Sequence, residues 1–170
     1  PVEMKYLAVI ESHLKSGKVS SDGAVGPWQF IPATARNYGL YVGRNRDERT
    51  DYYKSTHAAA RMLTDLFAEF GDWLLVVAAY NGGSGNVYKA IRKSGGSKDF
   101  WVLQHYLPNE SMNHVKKFIA THYIFEGEGG ITTLTKEETK QLVSNAVKIN
   151  EEEMKKSEAY NISGRFHSSV

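Results

Sequence analysis

Glu11 has the surroundings a general acid needs. The segment from Val2 to Leu14 contains neither Gly nor Pro, and Leu7, Ile10 and Leu14 repeat at helical spacing, which predicts a helix. Leu7 lies four residues before Glu11 and Leu14 three after it, so the carboxyl borders an apolar stripe. Partial desolvation at such a border disfavours the charged form, which keeps a transferable proton near neutral pH. Position alone reads more simply as a glutamate at the edge of a helix face.

Two other strings carry polar groups in unusual settings. In Gly23-Ala24-Val25-Gly26-Pro27-Trp28-Gln29-Phe30-Ile31-Pro32, two glycines let backbone approach a ligand closely, and Gln29 can donate and accept at once. Taken singly, Trp28 reads as core and Gln29 as a surface amide. The string Ala79-Tyr80-Asn81-Gly82-Gly83 puts a phenol and an amide at the end of an apolar segment, just before a loop. Ordinary helix-end capping by Asn and Gly explains it as well.

Other chemistries lack their residues. There is no cysteine, which excludes disulfides, thiolate nucleophiles and Cys-based zinc or redox sites. The histidines at 13, 57, 105, 114, 122 and 167 include no i,i+3 or i,i+4 pair for a helical zinc motif. No Gly-x-Ser-x-Gly elbow occurs, and Gly82-Gly83-Ser84-Gly85 is followed by no Gly-Lys-Ser/Thr. The expectation is therefore an activity without metal or cofactor.

The elements that position these residues are almost all helical. Pro32 suits the first turn of a short helix ending at Gly39. A longer helix runs from Asp51 to Phe70 and stops at Gly71, after which Asp72 caps an apolar helix beginning at Trp73. That segment is apolar on nearly every side and belongs in the core. Glycines 82, 83 and 85 are expected to break it, with helix resuming from Val87 to Lys93. Asn109 is the expected cap of a helix to about Phe125, and no strand-rich stretch appears. Gly127, Gly129 and Gly130 mark a hinge. Beyond it, Thr135 and Glu138 have capping-box spacing, and Glu151, Glu152, Glu153, Lys155 and Lys156 read as a solvated face. The stretch from Ile162 to Val170 ends without a clear element. The chain thus divides into a compact domain over 1–127 and a helical extension or linker over 128–170.

Composition agrees with an ordinary globular domain. The 170 residues are 41% hydrophobic and 24% charged, with 21 Lys+Arg against 19 Asp+Glu. The resulting +2 is spread along the chain, so no basic stripe points to nucleic acid. The longest apolar run, Trp73 to Tyr80, is far short of a membrane span. A start at Pro1, without initiator Met or leader, reads as a mature or excised segment.

In register, these segments resemble the catalytic domain of the soluble lytic transglycosylase (SLT) superfamily, in particular its membrane-bound lytic murein transglycosylase D type. The resemblance covers about Pro1 to Phe125. It rests on Val9-Ile10-Glu11-Ser12, the Gly23 to Pro32 string, Asn37-Tyr38-Gly39-Leu40, Asp47-Glu48-Arg49, Gly71-Asp72-Trp73-Leu74-Leu75, Ala78-Ala79-Tyr80-Asn81-Gly82-Gly83 and Leu107-Pro108-Asn109-Glu110-Ser111.

The resemblance implies an all-α, lysozyme-like (goose-type lysozyme/SLT) fold and a cleft for the N-acetylglucosamine–N-acetylmuramic acid strand of peptidoglycan. It implies that Glu11 first protonates the leaving glycosidic oxygen. The same carboxylate then acts as base on the muramic acid's primary hydroxyl, which closes a 1,6-anhydro ring. By the same resemblance Ser20 bonds sugar substituents near the reacting centre, Gln29 contacts substrate beside Glu11, Tyr80 and Asn81 are the substrate-binding Tyr-Asn pair with the phenol close to the acid, and Glu110 faces the sugar. Conventional glycosidases need two flanking carboxylates, and only Asp22 lies conveniently near Glu11. An internal nucleophile removes that need and lowers the entropic barrier.

Two alternatives stay open: a hydrolytic muramidase using Asp22 to position water, and a non-catalytic peptidoglycan-binding module. The substrate implies an exported bacterial protein of the periplasm or envelope, monomeric, with any lipid anchor in a segment not present here. The sequence departs from the family pattern at Pro27, usually Leu, and at Met112 and His114, where Glu-Thr-Arg-x-Tyr would place Arg and Tyr. The expected effect is on the far end of the cleft and not on Glu11.

Overall fold

A computed structural model describes residues 1–127, 129–130, 132–133, 140–141, 144–145, 147–149 and 152–156. Chain contacts divide it into two units, Pro1–Thr133 and Leu134–Val170. In the second, every described residue is helical and exposed, including Glu152, Glu153, Lys155 and Lys156 of the charged run. Thr135, Glu138, Glu151 and the stretch 162–170 lie outside the described residues.

The first unit holds seven α-helices among its described residues: α1 Lys5–Ser12, α2 Pro32–Asn37, α3 Tyr52–Phe70, α4 Trp73–Gly82, α5 Ser84–Lys93, α6 Phe100–Leu103 and α7 Asn109–Glu126. Its extended pairings are isolated bridges, such as Val19 to Val25 and Val25 to Phe30. The capping residues act as their chemistry requires. Asp51 and Asp72 accept from the backbone N–H groups of Lys54 and Leu75, Pro32 opens α2, and Gly71 closes α3 in the left-handed conformation at φ 71°.

Several boundaries differ from the sequence pattern. A 3₁₀ turn over Val2–Met4 precedes α1, and α1 stops at Ser12 because His13 and Leu14 turn left-handed at φ 54° and 61°. Leu14 is 51% exposed, so the apolar stripe expected to flank Glu11 on that side is absent. Gly82 remains helical, Gly83 alone makes the break at φ 78°, and α5 begins at Ser84 rather than Val87. Asn109 is the first residue of α7 rather than its cap, the preceding position being Pro108. The four-residue α6 is too short for periodicity to reveal.

The core is organised around α4. Leu74 through Ala79 are all buried, and the helix packs against α3, α5 and α7. Such enclosure explains why its apolar residues show no preferred face. At its C-terminal end α4 meets α7 closely: a Cβ on Gly82 would sit 2.2 Å from the Ser111 hydroxyl. Gly82→Ala is therefore expected to cost about 1–3 kcal/mol through overpacking. Gly85→Ala, with open space around that position in α5, is expected to raise stability by about 0.5 kcal/mol. Equal melting shifts for the two variants would show that the α4–α7 approach is not tight.

Candidate active site

Glu11 lies in the last turn of α1, and that turn is tied to the loop beneath it. Ser12, fully buried, places its hydroxyl 2.8 Å from the Pro27 carbonyl and 3.1 Å from that of Ala8. Lys18 Nζ donates to the backbone carbonyl of Glu11.

The loop from Lys18 to Ile31 has little regular structure, so side chains satisfy its carbonyls. Gln29 sits at φ 50°, and its Nε2 donates to Gly26 O at 2.8 Å and Lys18 O at 3.2 Å. It is a partly buried brace, not a free surface amide. Trp28 is core, with its indole N–H on Thr56. Tyr80 donates its hydroxyl to Trp28 O at 2.6 Å. Burial, with the Glu11 charge as a smaller contribution, pushes the Tyr80 phenol well above its ordinary value.

The outer side of the loop is held by Arg49, a residue to which the sequence pattern gave no role. Its Nη1 donates to Gly23 O at 2.9 Å and Phe30 O at 3.0 Å, while Nε and Nη2 grip both oxygens of Asp47. Arg49 is buried, and its hydrogen bonds hold the Asp47 carboxyl below its ordinary value. The backbone comes so close here that a Cβ on Gly26, at φ 89°, would lie 1.9 Å from Arg49 O.

The six residues singled out in the sequence, Glu11, Ser20, Gln29, Tyr80, Asn81 and Glu110, line one cleft of about 380 Å³. Asp22 lines it too, over a floor that includes Phe30, Met62 and Ala79. A more open hollow of about 740 Å³ beside α2 and α3 contains none of the six. Ser20 accepts from Ala24 N, which shapes the turn carrying Asp22. Asn81 is not a helix cap, since its Oδ1 accepts from the buried Ser111 hydroxyl at 3.0 Å. Glu110 is exposed in the first turn of α7.

One expectation fails outright. The departure at His114 does touch Glu11: His114 Nε2 lies 3.2 Å from Glu11 Oε1. The i,i+4 spacing from Glu110 was the signal available, because it puts His114 on the face of α7 that carries Glu110.

The fold is the lysozyme-like helical one of the SLT domain. Among solved structures it is shared with the 70 kDa soluble lytic transglycosylase from Escherichia coli, at a TM-score of 0.67 and 24% identity over 81% of this chain and 24% of that one. A 70-kDa soluble lytic transglycosylase in complex with bulgecin A gives 0.68 at 23% identity, with the same coverage. The model of the transglycosylase SLT domain family matches residues 1–102, and the chain belongs to that family. It is also 43% identical over 148 residues to membrane-bound lytic murein transglycosylase D of Escherichia coli K12, covering 84% of this chain. The chain spans about a third of the length of that relative. Among the described residues, no helix is long and apolar enough to cross a membrane.

The Arg49 brace makes a pH-dependent prediction. Arg49→Leu strands Asp47 and two carbonyls, which is expected to cost about 2–3 kcal/mol at pH 7. A carboxyl lowered by folding stabilises above its unfolded value, 3.8 here, and loses that contribution as pH falls through its folded value. Wild type should therefore weaken more than Arg49→Leu between pH 5 and 2 in denaturant titrations; equal weakening would separate Asp47 from Arg49.

Proposed function

We propose that the first unit is the catalytic domain of a peptidoglycan lytic transglycosylase. It cuts the N-acetylmuramic acid–β-1,4–N-acetylglucosamine bond without water and leaves a 1,6-anhydro-muramic acid end. The observation that carries this reading is a carboxylate with only 15% of its side chain exposed, Glu11, in a cleft also lined by Ser20, Gln29, Tyr80, Asn81 and Glu110. The name of the K12 relative, a murein transglycosylase, supports peptidoglycan as substrate.

Glu11 first gives its proton to the glycosidic oxygen as that bond breaks. The carboxylate so formed takes a proton from the muramic acid's primary hydroxyl, whose oxygen closes onto the anomeric carbon, and Glu11 ends protonated as it began. Holding that hydroxyl within the bound sugar supplies much of the entropic advantage of an intramolecular reaction. Tyr80 and Gln29 keep the cleft's floor and rim in place through their bonds to loop carbonyls. Asn81, with its carbonyl engaged by Ser111, has its amide N–H groups for sugar substituents. Ser20 and Glu110 contact the flanking sugars. No cofactor enters, and the protein is exported to the bacterial envelope, where this polymer lies.

Asp22, in the same cleft, favours one second reading: a muramidase in which that carboxylate positions a hydrolytic water. Mass spectrometry of products from purified peptidoglycan separates the two. The transglycosylase releases muropeptides lighter by one water than the hydrolysed form, the muramidase reducing ends, and a binding module nothing. Glu11→Gln is expected to abolish release by at least about 100-fold while leaving strand binding intact. Turnover by that variant would remove Glu11 from the mechanism. Tyr80→Phe should retain the fold and lose about 1 kcal/mol of stability with a milder rate loss.

A further inference from the structure

His114 stands one turn beyond Glu110 on α7, where the family pattern carries a tyrosine. Its side chain is 11% exposed and faces the equally sheltered Glu11 carboxylate at 3.2 Å. Nε2 is closed off from solvent and makes no aligned hydrogen bond. Leaving a buried imidazole nitrogen unpaired is costly. Catalytic hydrogen bonds are often poorly aligned in the free enzyme and tighten only when substrate is bound.

Several donors near Glu11 are engaged elsewhere. The Tyr80 hydroxyl donates to Trp28 O, the Ser12 hydroxyl to Pro27 O and Ala8 O, and both Gln29 Nε2 contacts go to Lys18 O and Gly26 O. Lys18 reaches Glu11 through its backbone carbonyl. A glutamate side chain with three rotatable bonds still needs something to fix the plane of its carboxyl.

We propose that His114 is the positioning residue for Glu11. Its Nε2–H holds Oε1 and so presents Oε2 to the glycosidic oxygen. The proposal rests on the reading of Glu11 as the acid and base. With Glu11 protonated on Oε2, Oε1 accepts from the imidazole. Once that proton has gone to the leaving oxygen, the same N–H stabilises the carboxylate while Oε2 takes the proton of the primary hydroxyl. The imidazole keeps its own proton throughout. A phenol at this position offers a single donor in the same way, so His114→Tyr should be functionally conservative and His114→Phe should not.

The test compares wild type with His114→Phe, His114→Gln and His114→Tyr on purified peptidoglycan, with released muropeptides quantified over a range of substrate concentrations. His114→Phe is expected to lower kcat roughly 10- to 100-fold, the worth of one hydrogen bond to a charged group, with KM little changed. Tyr and Gln, which retain a donor, should restore most of the loss. The melting temperature of His114→Phe should be unchanged or higher, because an unpaired buried nitrogen is removed. A readout independent of turnover is the His114 imidazole N–H proton resonance, assigned by its disappearance in His114→Phe; it is expected to shift in Glu11→Gln. A resonance unmoved by that change, wild-type kcat in His114→Phe, or loss of kcat that Tyr and Gln do not relieve would each overturn the proposal. Failure of the wild type to release muropeptides would instead defeat the transglycosylase reading, and the resonance would still decide whether His114 holds Glu11.

Discussion

The structure depends on satisfying the backbone of one loop. Between Lys18 and Ile31 the chain makes only isolated bridges, yet Ala24 through Trp28 are buried. Buried carbonyls without partners would cost more than such a loop returns. Six of its carbonyls are met by side chains: Lys18 and Gly26 by Gln29, Pro27 by Ser12, Trp28 by Tyr80, and Gly23 and Phe30 by Arg49. These donors come from α1, the loop itself, α4 and the segment before α3. The loop is thus a junction where the elements carrying Glu11 and Tyr80 are fixed to one another. Much of what looks like substrate-binding sequence is the clamp that gives the cleft its shape.

This double duty explains what could be read from the residues alone. Caps are local, so Asp51, Gly71, Asp72 and Pro32 announced their helix boundaries directly, through chemistry that acts within a turn. The six cleft residues were legible because they occur in a recurring order. Arg49 stands in the same recurring order, but its role was not legible, because its partners Gly23 and Phe30 are 26 and 19 residues away and are backbone groups that any sequence possesses. His114 was misjudged for a similar reason. Its contact with Glu11 joins α1 to α7: spacing puts His114 on the Glu110 face of α7 but does not reveal that this face meets α1. The early end of α1 was hidden because His13 and Leu14 adopt a left-handed conformation, uncommon outside Gly and not signalled by Leu14, at the turn into the loop.

The reaction proposed for Glu11, which recruits its nucleophile from the substrate, would place an unusual demand on this scaffold. An enzyme with two catalytic carboxylates can tolerate some freedom in the sugar, because the second carboxylate or a water meets the anomeric carbon from outside. With one carboxylate, the same group must reach the leaving oxygen and then the primary hydroxyl, so its two oxygens have to stay in a fixed relation to the ring. Misplacement by an ångström forfeits the advantage of an intramolecular reaction. Rigid support on both sides of Glu11 is the physical answer. The buried α4 and the Gly82–Ser111 approach fix α7, α7 carries His114 to Oε1, and the clamped loop closes the other side. The cost is borne by positions far from the chemistry: a glycine with no room for a methyl group, a glutamine in a left-handed conformation, and a guanidinium buried among carbonyls. Those positions fix the geometry around Glu11 on which the proposed proton transfer would depend.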